Sequence, residues 1–189
     1  MSKKIILNLV GPSGSGKSTL ADALDFPRVV SHTTRKQRAT EINKVDYFFE
    51  KSKEDFFKLD LFEYTEYAGN YYGTTYSDIE QTLAKNDIIL LITDRKGTEA
   101  LKAKYGSIVK CIYLISNLDM LVERMKKRGD SREKIGSRLL NIIENHELDV
   151  PLECDYILNA CDELEDKIKD IKQIVESIQN CYTVLTLAQ

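Results

Sequence analysis

The sequence predicts an α/β fold, a parallel sheet flanked by helices and interrupted by a mixed α+β insert and an arginine-rich lid. Three observations predict it. Apolar runs of strand length alternate with helical patterns, the rhythm of a sheet wrapped by its crossovers. The first run ends in a glycine-rich turn that opens a helix. The alternation then lapses once, between His32 and Lys85, where aromatic residues interleave with charges.

In chain order, Ile5–Val10 reads as a first buried strand, followed by a helix that starts at Lys17 and is stopped by Pro27. Arg28–His32 reads as the next strand. Tyr47–Phe49 is strand-like, Lys53–Leu59 a short helix and Phe62–Tyr72 an aromatic-rich stretch, together an antiparallel insert between two core strands. Ile88–Ile92, Lys110–Ile115 and Tyr156–Leu158 resume the sheet, each with a helix after it. Lys126–Arg138, KKRGDSREKIGSR, crowds cations around Gly129 and Gly136 with almost no apolar anchor and reads as a mobile basic flap. Leu164, Ile168, Ile171, Val175 and Ile178 recur at spacings of four and three on one face of a last helix, a core-packing pattern too short for a coiled coil. The tail Tyr182–Leu187 is β-prone. A single domain follows: core 1–32, 86–125 and 139–189, insert 33–85 and lid 126–138.

The 189 residues, 42% hydrophobic, suffice for one good core. At a net charge of −3 the surface has no overall pull on nucleic acid or an anionic membrane, so an anionic ligand is met by a local basic site and is a small molecule. Met1–Val10 resembles a signal peptide only until Gly11-Pro12 cuts its apolar run. No stretch approaches the roughly 18 to 20 apolar residues of a membrane span. Cys111, Cys154, Cys161 and Cys181 form no C-x-x-C pair, which argues for reduced, mostly buried thiols in a cytoplasmic protein.

Gly11-Pro-Ser-Gly-Ser-Gly16-Lys17-Ser18 matches G-x-x-x-x-G-K-[ST], between a predicted strand and a predicted helix as that motif requires. The glycines let backbone N–H groups turn inward around phosphate oxygens, Lys17 can follow charge onto a transferring group, and the Ser18 hydroxyl can ligate Mg²⁺. Gly11, Ser13, Gly14, Ser15, Gly16, Lys17, Ser18 and Thr19 are therefore the candidate triphosphate ligands. This loop gives the donor and leaves the acceptor open.

A second phosphate site is suggested by Ser31-His-Thr-Thr-Arg35-Lys-Gln-Arg38, followed by Asp46-Tyr47, Glu63 and Gly69-Asn-Tyr-Tyr72-Gly-Thr74. Forked cations with neutral hydroxyl donors suit a phosphate. Taken alone, Arg35 and Arg38 read equally well as a solvated loop, and the tyrosines as insert core.

Taken in order, the phosphate loop, SHTTRxxR, the DY pair, FxExxxxxGNYYGT and the arginine-rich flap resemble the guanylate kinase family from Ile5 to about Asn159. The resemblance implies a P-loop NTPase fold, ATP as donor, GMP and dGMP as acceptors, Mg²⁺, and a monomer or homodimer. It assigns the acceptor phosphate to Ser31, Arg35, Arg38, Tyr47 and Tyr72, and guanine to Glu63, Thr74 and Asp94. It places Arg124, Arg128 and Arg138 in the lid, acting with Lys17 and Arg35 on the transferring group, and Asn159 near the donor adenine. Guanine's N1–H and N2–H₂ donors suit carboxylate acceptors, whereas adenine presents a lone pair there. A nucleotide phosphate, with a second pKa of about 6, attacks without a base. No catalytic histidine is therefore needed, and His32 and His146 read as structural or surface residues.

The sequence departs from the family at Ile92, where an acidic residue is usual, in the short first helix, and in a lid one residue short after Gly129. Two rivals remain at this level. A kinase for another nucleotide or a ribose phosphate would not need Glu63, Thr74 and Asp94, and a non-catalytic binding module would not need an intact loop.

Overall fold

Every residue of β1 (Ile5–Val10) is buried, because the strand lies between two parallel neighbours, β6 (Ile88–Ile92) and β7 (Val109–Ile115). β8 (Tyr156–Asn159) adds to β7, giving the order β6-β1-β7-β8, all parallel. A strand covered on both faces needs a continuous apolar run, which is how the sequence reads there. Its one polar residue, Asn8, is satisfied: its Nδ2 donates to Thr98 Oγ1 at 2.9 Å and its Oδ1 accepts from Thr93 Oγ1 at 3.0 Å. The computed structural model describes residues 4–38, 41–67 and 69–187, with side chains for all of these except 67 and 181–187.

Helices cover both faces. α1 (Lys17–Ala23) and α7 (Leu164–Leu187) pack on one, where Leu20, Ile171, Val175 and Ile178 join Leu7, Leu9 and Leu114 in the main core. The five-residue apolar series of the last helix is thus a packing face. α3 (Tyr76–Lys85) and α4 (Arg95–Tyr105) pack on the other, where Ile79 and Leu101 meet Ile6, Ile89 and Leu91. Local caps start these helices where the sequence turns: Thr75 Oγ1 accepts from Asp78 N, and the Asp94 carboxylate from Gly97 N.

The second sheet, order β3-β2-β5-β4, holds β2 (His32–Thr33), β3 (Phe48–Phe49), β4 (Leu61–Tyr67) and β5 (Asn70–Thr75), with α2 (Lys53–Phe57) beside it. The expected antiparallel insert is mixed, because β3 runs parallel to β2. Arg28–His32 does not form one strand. Arg28 bridges Leu90 at the edge of the first sheet and Val29 N–H bonds Leu90 O, then the chain crosses over and His32 pairs with Gly73. Two sheets claim the two ends of that run.

The span that reads as a mobile basic flap with almost no apolar anchor belongs to a helical hairpin. α5 (Leu118–Lys127) and α6 (Arg132–Glu144) flank a short turn, and Leu121, Met125, Ile135 and Ile142 form their own small core. Asp130, its side chain 8% exposed, pairs with Arg128 at 2.8 Å, Lys134 at 2.7 Å and Arg138 at 4.0 Å. Three of the apolar anchors flank the cationic stretch and Ile135 lies within it, and the acid Asp130 offsets the crowding. The β-prone tail is also corrected: α7 runs on to Leu187, since extending an existing helix costs less than starting a strand with no partner. Cys111 is buried, but Cys154 is half-buried and Cys161 exposed, so the thiols are less buried than expected. The side chain of Cys181 lies outside the described residues.

Candidate active site

The phosphate loop leaves β1 at Gly11 and enters α1 through Gly16. Gly11 passes so close to β7 that a Cβ there would stand 2.9 Å from Leu114 O, and Gly16 caps α1 with φ at 99°, a conformation that favours glycine. Lys17 folds back over the loop, its Nζ donating to Gly11 O at 2.6 Å and Pro12 O at 3.0 Å. Burial pulls its pKa down to about 8, against the opposing charge of Glu147. Ser15 is buried, and its Oγ has no hydrogen-bond partner, an orphan hydroxyl within a loop built for oxygen-rich ligands. Ser18 and Thr19 are exposed at the start of α1.

Two arginines of the α5–α6 hairpin reach this loop. Arg124 donates to Ser15 O and to Ala160 O, both at 2.7 Å, tying the loop to the end of β8. Arg138 donates to Ser13 Oγ at 3.2 Å. Arg128 is not brought in, being paired with Asp130 in its own turn. Asn159 lies beyond Arg124 in a shallow hollow with Ile115, Ser116, Asn117 and Cys161, its Oδ1 accepting from Cys161 N at 3.0 Å.

The second sheet assembles the other cluster. Arg35 is gripped by Glu41 at 2.7 and 3.0 Å, with its guanidinium carbon 5.5 Å from the Tyr47 ring centre and 5.6 Å from that of Phe49. Glu41 also accepts from the Arg38 amide at 2.8 Å, and the Arg38 guanidinium stands 3.5 Å away. These bonds hold the Arg35 pKa above its usual value. Tyr47 and Tyr72 meet edge to face at 5.9 Å, and burial raises the Tyr47 pKa.

Next to this cationic patch, Ser31 Oγ and Thr74 Oγ1 lie 3.1 Å apart, and Glu63 is the cross-strand partner of Thr74. A bulge sets this up. Leu61 pairs with Thr75 but Glu63 with Thr74, so one extra residue in β4 puts Phe62 in the core and Glu63 beside Thr74. Burial first, then the charge of Asp94, push the Glu63 pKa up to about 8. Asp94 arrives from the carboxyl end of β6, where open α/β sheets place ligands. It is also the cap of α4: Oδ1 accepts from Gly97 N at 2.8 Å.

Ser31, Glu63, Thr74 and Asp94 thus converge, as do Arg35, Arg38, Tyr47 and Tyr72. Residues not singled out from sequence also stand here. Glu41 organises the arginines, and Glu147 accepts from Ser13 N at 2.9 Å. Only the acidic position after SHTTRxxR could have signalled Glu41. The histidines stand where expected: His32 is buried between Glu50 at 2.7 Å and Asp78 at 2.9 Å, and His146 lies on the surface.

Among the described residues no three His, Cys, Asp or Glu side chains gather as a metal cage. A hard cation carried on triphosphate oxygens needs few protein ligands, and the exposed Ser18 hydroxyl in the loop fits that demand. No described helix is long and apolar enough to cross a membrane.

The guanylate kinase family model matches residues 1–178. The chain is 35% identical to a guanylate kinase of Mycoplasmoides gallisepticum over 187 residues, 93% of this chain and 94% of that one. It is 37% identical to a guanylate kinase of Haemophilus influenzae over 190 residues, 94% and 89% of the two chains. The crystal structure of guanylate kinase from Anaplasma phagocytophilum matches with a TM-score of 0.69 at 24% identity, covering 94% of this chain and 87% of that one, which shows the shared P-loop NTPase fold. With the matches running along nearly the whole sequence, the chain belongs to the guanylate kinase family.

Proposed function

We infer that the chain transfers the γ-phosphoryl group of ATP to GMP, and to dGMP, giving ADP and GDP. The observation that carries the acceptor is the convergence of Glu63, Thr74, Ser31 and Asp94 beside the Arg35–Arg38 patch, a base reader next to a phosphate clamp. The insert 33–85 binds GMP, the lid 126–138 closes on ATP, and the remaining segments form the core. Gly11, Ser13, Gly14, Ser15, Gly16, Lys17, Ser18 and Thr19 bind the ATP phosphates, and Asn159 lies by the adenine.

Ionised Glu63 and Asp94 accept from guanine N1–H and N2–H₂, while Thr74 orients Glu63. AMP would leave these acceptors unpaired, a loss that discriminates against it. Arg35, Arg38, Tyr47 and Tyr72 hold the GMP phosphate, whose oxygen is already an anion and attacks in line without a general base. Lys17, Arg124, Arg128 and Arg138 neutralise the charge that spreads over the transferring group. Arg128 joins them by leaving Asp130. Mg²⁺, held through Ser18 and the ATP oxygens, supplies further charge neutralisation. Lid closure excludes water, the competing acceptor. The enzyme acts on free nucleotides in the cytoplasm as a monomer or homodimer, with no nucleic acid or membrane partner.

A coupled ADP-release assay with Mg²⁺-ATP and GMP, dGMP, AMP, CMP or UMP tests this. Turnover with GMP well above the others is expected. Activity with AMP or a pyrimidine nucleotide but none with GMP would overturn the base assignment.

A further inference from the structure

Glu147 approaches the phosphate loop from the turn that follows α6. Two bonds fix its backbone: its N–H donates to Ile142 O at 2.9 Å, and Tyr113 Oη donates to its carbonyl at 2.8 Å. The preceding residue, His146, has φ at 52°, turning the chain back toward the loop. From this position Oε2 accepts the Ser13 N–H at 2.9 Å. The same negative charge faces Lys17, where it opposes the effect of burial on the ammonium group.

A carboxylate and a phosphate present the same thing to a loop amide and a lysine, an anionic oxygen. The backbone N–H of Ser13 is one donor and serves one strong acceptor at a time. Glu41 is different in kind, because a guanidinium has five N–H donors and Glu41 takes two of those on Arg35. Glu41 can therefore stay while a phosphate binds, whereas Glu147 competes with one.

We propose that Glu147 is an internal stand-in for phosphate, docked on the donor loop when the enzyme is empty and expelled when ATP arrives. The inference rests on the donor-site reading given under Proposed function. Ser13 is held twice from the same stretch of chain, by Arg138 on its hydroxyl and by Glu147 on its amide. Expulsion of Glu147 frees the Ser13 amide for a phosphate oxygen and leaves Arg138 on the Ser13 hydroxyl, so this side of the loop becomes more attractive toward the donor. Glu147 thereby weakens ATP binding in proportion to the phosphate charge that must displace it, and it disfavours ADP less than ATP.

Titration calorimetry on the full chain tests this with Mg²⁺-ATP, ADP and GMP. Glu147→Gln removes the charge and keeps an acceptor, and Glu147→Ala removes both. ATP is expected to bind ~tenfold tighter to Glu147→Ala and by a smaller factor to Glu147→Gln. The gain for ADP should be smaller, and the GMP affinity unchanged. Unchanged or weaker ATP binding in both variants overturns the proposal, and Glu147→Gln alone decides it if the alanine variant melts early. Native protein that binds no ATP would sink the donor-site reading as well, whereas native binding with no gain in the variants sinks only the stand-in.

Discussion

Glu41 holds Arg35 through both terminal guanidinium nitrogens, at 2.7 and 3.0 Å, while the cation lies against the Tyr47 and Phe49 rings. The fork fixes where the remaining N–H donors of Arg35 point. Glu41→Gln keeps one acceptor but loses the paired charge, so KM for GMP should rise ~tenfold with KM for ATP within about twofold. Steady-state kinetics with each substrate varied will show whether the effect is confined to GMP.

Glu63 gives a pH dependence with a definite sign. With its pKa pushed up to about 8, the carboxyl is mostly protonated in the empty enzyme at pH 7, but guanine's donors need it ionised. GMP binding should release a proton, and affinity should climb as pH rises from 6.5 to 8, by at most ~tenfold per unit. Calorimetry in two buffers of different ionisation enthalpy measures that proton. Between its ordinary pKa and about 8, the folded state keeps a proton that the unfolded state has lost, so this group's contribution to stability declines as pH rises through that window. The Tm of the parent should accordingly fall more between pH 6 and 8 than that of Glu63→Gln.

Arg138 donates to Ser13 Oγ in the donor loop and sits near Asp130. Arg138→Ala should lower kcat at least ~tenfold while the circular dichroism spectrum stays native. Arg124→Ala should differ, because it also severs the link from Ser15 O to Ala160 O. Its Tm should drop together with its ATP affinity.

His32 bridges Glu50 and Asp78 and stacks on Phe48 at 4.5 Å, joining β2, β3 and the first turn of α3. His32→Ala leaves two carboxylates facing an empty space. Urea unfolding should show a loss of about 2–4 kcal/mol, with Asp78→Asn closer to the parent.

Signals that are local in sequence were legible before the structure. The strand Ile5–Val10, the loop through Ser18 and the face of the last helix each depend on neighbours a few residues away. Thr74 and Glu63 were legible only through the order of a family pattern, since the bulge that joins them leaves no local trace. The charges that answer the cations were harder. Asp130 lies inside the run whose repulsion it relieves, and its partners are local, but which cations turn toward it depends on the turn between α5 and α6. Glu147 is 134 positions from Ser13 and follows no motif. Arg28–His32 read as one strand because propensity cannot tell which sheet takes each end.

The extra residue in β4 has an evolutionary consequence. In an unbroken ladder residues two apart share a face, but here Leu61 and Glu63 pair with adjacent threonines that point opposite ways. A change of base preference is open to point substitution at Glu63. A one-codon deletion between Leu61 and Glu63 would instead leave Glu63 paired with Thr74 but remove Phe62 from the core and, with it, the bulge that shapes the strand there. This segment should therefore accept drift in side-chain identity more readily than drift in length.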